Sequence, residues 1–207
     1  MRTTLRIAVS SCLVALTTGC ALGNRHIVLT YPPPPSSSGG GPAVAEAAPA
    51  PLSSAMPIVV IPFNDTRTDT LHVGEVKNAL GMRTAWVLSD SDVSEWVTAA
   101  VTKELERSGY QVTRTANAAD AGGTPMLSGD ILKVFGSAYM TYGGDVTLLA
   151  RVTRDGKEIH QKTYTSHQMG GMSLTASGGG YSNALAAALA EDIRALIADL
   201  NGVMPKP

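Results

Sequence analysis

The sequence predicts an α+β fold: an antiparallel sheet with two helices packed on one of its faces. Three observations carry this. Two segments, starting near Val93 and near Leu185, repeat apolar residues at helical spacing. Several shorter runs are continuously apolar or alternate with period two, as strands do. Asp155-Gly156 separates two of those runs and is the strongest hairpin signal in the chain.

In chain order, Ile58-Val59-Val60-Ile61-Pro62-Phe63 reads as a buried strand, with Pro62 placing it near an edge or at its end. Asn64 to Asp69 is a turn-rich loop. Leu71 to Lys77 and Arg83 to Ser89 read as two short strands around Asn78-Ala79-Leu80-Gly81. Ser91 or Asp92 can cap a helix whose Val93, Trp96, Val97, Ala100, Val101 and Leu105 share one face, and Gly109 stops it. Tyr110 to Thr113 is a short strand and Ala116 to Pro125 a loop. Met126 to Phe135 and Asp145 to Arg154 are strands, and the chain returns through Asp155-Gly156 as Lys157 to His167. Gly170 to Gly180 is a glycine-rich stretch. Asn183 to Leu200 is the last helix, with Leu185, Leu189, Ile193, Leu196, Ile197 and Leu200 along one stripe.

Composition excludes several classes. The 207 residues hold 16 basic and 17 acidic side chains. No basic stripe is available to neutralise phosphates, so nucleic acid is not an expected partner. Two cysteines cannot build a disulfide scaffold or a four-ligand zinc site.

The N-terminus reads as an address. Arg2 and Arg6 precede a mostly apolar, uncharged stretch of 12 residues, Ile7 to Thr18. That falls short of the ~20 residues needed to cross a bilayer, and the pattern is that of an export signal. It ends in Leu16-Thr17-Thr18-Gly19-Cys20, which resembles the lipobox of bacterial lipoproteins, with Thr17 where an aliphatic residue is usual. The resemblance implies that 1–19 is a signal peptide and that Cys20 becomes the lipidated first residue. Ala21 behind it favours the outer membrane. Cys12 and two arginines leave with the signal, so 14 basic residues remain against 17 acidic ones, a net −3. No cysteine then follows Cys20, so no disulfide or thiol nucleophile is available.

Residues 20–56 read as a tether. Pro32 to Pro35, Ser36 to Ser38, Gly39 to Gly41 and an Ala/Pro run lack the apolar side chains that offset ordering entropy. As a flexible coil the tether would reach about 35 Å. Ile27 to Tyr31 is a β-prone exception that can pair with an edge strand. Residues 57–203 form the single folded domain.

Within that domain the residues suggest a family. The apolar strand from Ile58 is followed by Asp65-x-Arg67 and by Val73-Gly74-x-Val76-Lys77-Asn78, and the first helix ends Lys103-Glu104-Leu105-x-x-x-Gly109-Tyr110. Together with the later strands, Tyr164 and the C-terminal helix, this resembles the YajG-like bacterial lipoproteins. The resemblance implies an outer-membrane lipoprotein without an assigned molecular role. Ile58 to Asp65 is also similar to the LpoB and CsgG group of envelope lipoproteins, from which the inserted hairpin between Leu71 and Ser89 departs.

Candidate sites are few. No Gly-x-Ser-x-Gly, Walker loop or dinucleotide fingerprint is present. Asp65, Arg67 and Asp69 form the densest charged cluster, readable as a carboxylate pair for acid–base work or as a turn closed by a local Arg–carboxylate pair, and Asp65 and Arg67 are also candidates for partner binding. Tyr139 and Tyr142 lie in a predicted exposed connection and are candidates for recognition. His167, Met169 and Met172 have the imidazole and thioethers that suit Cu(I), although both Met could equally be filling gaps. The sequence therefore predicts a non-enzymatic, lipid-anchored module that binds another envelope component and needs no cofactor. The alternatives are an accessory in lipid or lipopolysaccharide handling and a copper-binding protein.

Overall fold

The computed structural model describes residues 23–31, 56–173 and 177–204. The expected signal peptide, Cys20 and the tetraproline lie outside them.

The core of the sheet is a meander of three long strands, β7 (Met126–Ala138), β8 (Thr141–Arg154) and β9 (Lys157–Met172), paired antiparallel throughout. Asp155 and Gly156 both take positive φ in the tight β8–β9 turn, as a two-residue hairpin of this type requires. The outer edge of β7 hosts three short strands end to end: β2 (Met56–Val60), β3 (Asn64–Asp65) and β4 (His72–Lys77). Beyond β2 lies β6 (Tyr110–Arg114). Beyond β4 lie β5 (Arg83–Ser89) and then β1 (Arg25–Ile27).

The sheet is therefore mixed, which corrects the antiparallel prediction. β1–β5, β2–β6, β2–β7, β3–β7 and β4–β7 are all parallel. Neighbouring strands in sequence signal hairpins, and the three hairpins among the described residues are antiparallel. Parallel partners lie far apart in sequence, so local pattern carries no trace of them.

Helix α1 (Val93–Arg107) starts where Asp92 caps it, the Glu95 N–H donating to Asp92 Oδ1 at 3.0 Å. Its predicted face, Val93 to Leu105, is buried. Helix α2 (Gly178–Val203) packs along the buried face of the meander and meets α1. It starts five residues earlier than the sequence predicts, inside the glycine-rich stretch. Close packing explains this. A Cβ at Gly180 would stand 2.2 Å from the Tyr142 ring, and one at Gly144 would stand 2.5 Å from the Ala184 backbone. Tyr181, Leu185, Leu189, Ile193 and Leu196 fill the space between helix and sheet.

Residues 25–31 belong to the folded body, although the sequence places them in the tether. Ile27 and Leu29 join the core, and the Leu29 and Thr30 N–H groups donate to Ser91 Oγ and Ser182 Oγ. The strand that pairs with β5 is Arg25–Ile27, in the register Arg25–Val87 to Ile27–Ser89, so of the expected segment Ile27 to Tyr31 only Ile27 pairs; the strand lies two residues earlier.

Candidate functional site

The Asp65–Arg67 loop forms a closed clamp. Arg67 is 7% exposed, and its guanidinium is fully engaged. Nε and Nη2 grip the Asp65 carboxylate at 2.8 and 2.7 Å. Nη2 also donates to Thr70 O at 3.1 Å, and Nη1 to His72 O at 3.2 Å and Val134 O at 3.4 Å. One side chain thus ties the 65–72 loop to β7. Next to it, Asp69 accepts from the Leu71 and His72 N–H groups and from His72 Nδ1 at 2.7 Å. Those hydrogen bonds, the side-chain one first, hold its carboxyl below the usual range. The His72 ring stacks on Trp86, and the Arg83 guanidinium carbon lies 3.7 Å from the centroid of the Trp86 ring.

The two tyrosines are separated. Tyr142 lies in β8, not in an exposed connection, because the strand begins four residues earlier than predicted. It is buried edge-on against Tyr181, with its hydroxyl 3.1 Å from Ser177 Oγ. Tyr139 stays at the surface in the β7–β8 turn, and its hydroxyl donates to Ala79 O at 3.0 Å.

His167, Met169 and Met172 all lie on β9, which runs five residues beyond its predicted end. His167 Nδ1 is 2.8 Å from Asp145 Oδ1, and Lys133 Nζ is 3.2 Å from Asp145 Oδ2. Met169 and Met172 are exposed rather than filling gaps. Among the described residues no three His, Cys, Asp or Glu side chains cluster as a metal site.

Sequence pattern misses a feature at one end of the molecule. Leu80 in the β4–β5 turn is 81% exposed, Met140 in the β7–β8 turn 71%, and Met172 at the end of β9 74%; Met82 is also exposed. Backbone and side-chain bonds join these segments, through Tyr139 to Ala79 O and through the Ser173 N–H to Met140 O at 2.8 Å. The one available signal was apolar Leu80 and Met140 in turns, where polar residues are the norm.

Two further features stand apart. A surface groove of about 410 Å³ runs between α1 and the 29–31 segment, lined by Leu29, Tyr31, Trp96, Ala99, Ala100 and Lys103, and Trp96 Nε1 beside it is buried without a partner. On α2, Asp192 is 2% exposed with Oδ2 unpartnered. Burial pushes its carboxyl up to about 7, opposed by a bond from Ser166 and reinforced by the charge of Glu191.

No protein-family model matches the chain, and no curated protein matches it. Solved structures do. A protein from Xanthomonas campestris, XCC0632 of the family DUF330, superimposes with a TM-score of 0.52 at 12% identity, over 86% of this chain and 94% of that one. The chain therefore shares that protein's fold. The hypothetical protein CT253 from Chlamydia trachomatis matches at 0.48 and 11% identity, over 72% and 98% of the two chains. Lipoprotein GNA1162 from Neisseria meningitidis matches at 0.33 and 16% identity, over 70% and 99%. Scores at those two levels carry no argument about this chain.

Proposed function

We propose that the protein is a YajG-like lipoprotein of the bacterial outer membrane. In this reading it is anchored through lipidated Cys20 with its domain on the periplasmic side, and acts without catalysis as a binding or assembly module for another envelope protein. One observation carries the reading. β1 enters the sheet only five residues after Cys20, so acyl chains there would hold the folded body itself at the bilayer surface. With a net charge of −3 after signal removal, the chain as a whole gains no electrostatic pull towards anionic lipid, and covalent lipid is the anchor the chemistry calls for. The non-catalytic part is supported by the engagement of the charged candidates. Arg67, the most buried of them, is saturated by Asp65 and three carbonyls and has no donor left to present.

Metabolic labelling with an alkyne fatty acid tests the anchor. Label should appear on the native chain and vanish in Cys20→Ser, which should move to the soluble fraction. A Cys20→Ser protein that stays in the membrane pellet overturns the reading. Crosslinking in intact cells followed by mass spectrometry then identifies the partner.

A second reading, an accessory in lipid or lipopolysaccharide handling, is favoured by the groove beside Trp96, whose volume falls in the range of small-ligand sites. Native mass spectrometry distinguishes it. A stoichiometric lipid that co-purifies and is displaced by Ala99→Trp supports this second reading, and a ligand-free mass rejects it.

A further inference from the structure

We propose that the end formed by the β4–β5 turn, the β7–β8 turn and the tail of β9 is a membrane-docking rim, and that what it binds is the lipid surface itself. The inference rests on the lipid-anchor reading above and adds an orientation to it.

The first argument is the path of the chain. β1 runs parallel to β5, with Arg25 opposite Val87, and the Trp86 N–H donates to Asn24 Oδ1. Going backwards along β1 therefore leads towards Arg83 and the β4–β5 turn. Cys20 is three residues before Gly23, a separation of at most about 11 Å. A lipid on Cys20 is therefore held within that radius of Gly23, on the side of β5 that leads to this end.

The second argument is the surface found there. Leu80, Met82, Met140 and Met172 project from three separate segments tied together by Tyr139 and Ser173. Large apolar side chains at the tips of rigid turns suit insertion among lipid headgroups.

The third is charge. Residues 23–25, 75–86, 136–144 and 167–173 contain a single acid, Glu75, which bridges to Lys77. Arg25 and Arg83 add two positive charges, Arg83 lying against the Trp86 ring, on a chain that is otherwise net acidic once its signal is removed. Basic residues flanking apolar tips favour a phospholipid headgroup layer over an acid-avoiding protein patch.

Site-specific fluorescence tests this on the mature lipidated chain in vesicles of phosphatidylethanolamine with a minor share of phosphatidylglycerol. Lipidated Cys20 has no free thiol and no cysteine follows it, so Leu80→Cys, Met140→Cys and Lys157→Cys each accept one environment-sensitive NBD label. Lys157 sits in the β8–β9 turn at the other end of the meander. We expect blue-shifted NBD emission at 80 and 140, with about half of it lost to doxyl-labelled lipid, and water-like, unquenched emission at 157. Vesicle-bound protein with equal, unquenched emission at all three positions overturns the rim and leaves the anchor standing. A disulfide-linked Met140→Cys dimer on the vesicles, with no quenching at 80, overturns it in favour of a second copy of this chain. A chain that proves to carry no lipid on Cys20 removes both the anchor and this inference.

Discussion

Replacing Arg67 by Ala tests whether the Asp65–Arg67 pair is a clamp or a presented site. The structure sets the magnitude. The variant leaves the Asp65 carboxylate without its two charge-assisted bonds and leaves Thr70 O, His72 O and Val134 O without that donor. Breaking a buried pair from one side costs about 3–5 kcal/mol. Asp65 keeps a solvent-reachable edge, its side chain being 20% exposed, so the lower end applies, about 3 kcal/mol. In a domain of this size that lowers Tm by roughly 6–12 °C. Arg67→Lys should recover only part of the loss, because three donors on a flexible stem cannot reproduce a planar fork. Urea unfolding of both variants in the Cys20→Ser chain, followed by the fluorescence of Trp86 and Trp96, measures the losses. Pairing Arg67→Ala with Asp65→Ala in a double-mutant cycle should give a coupling above about 1 kcal/mol. An Arg67→Ala protein within about 1 kcal/mol of the parent, with no coupling to Asp65, refutes the clamp and returns the guanidinium to the list of recognition residues.

Other outcomes are as definite. Asp192 binds its proton more tightly folded, near pH 7, than unfolded, near 4, so its contribution to stability is full below about pH 4 and is lost as pH rises to about 7. Asp192→Asn should flatten that decline between pH 4.5 and 8 in urea titrations, and an unchanged slope would rule out this carboxyl as its source. Gly144→Ala should cost about 1–3 kcal/mol by pushing α2 off β8, measured by thermal melting, whereas Gly171→Ala, with open space around its Cβ position, should cost little. Titration with Cu(I) under reducing conditions tests the copper alternative: binding no tighter than micromolar rejects it, and tight binding lost in His167→Ala would revive it, with Asp145 on Nδ1 then orienting the ring.

What the sequence made legible was local. The span Arg83 to Ser89, the Asp92 cap, the buried face of α1 and the Asp155-Gly156 hairpin each depend on residues a few positions apart. The mixed sheet was not legible, because β7 collects partners from three separate segments. The start of α2 was hidden because glycine disfavours helix, while the reason for glycine there is the Tyr142 ring, 38 residues earlier at position 142. The candidate site divides in the same way. Asp-x-Arg shows that the two groups can meet, but not that Val134 O closes around the guanidinium. Asp192 was readable in principle, since it falls between Leu189 and Leu196 on the apolar stripe.

The placement of β1 also has a mechanical meaning. Tension on Cys20 pulls β1 along its own axis, so the bonds to β5, Ser91 and Ser182 are loaded together in shear. Should they yield, β2 is not loaded until the chain from 25 to 55 has run out, roughly 100 Å of slack. An atomic-force trace on the chain pulled through position 20 should show a first small rupture and an extension of that length before the main domain unfolds. The three-residue strand β1 would then act as a fuse that opens ahead of the domain.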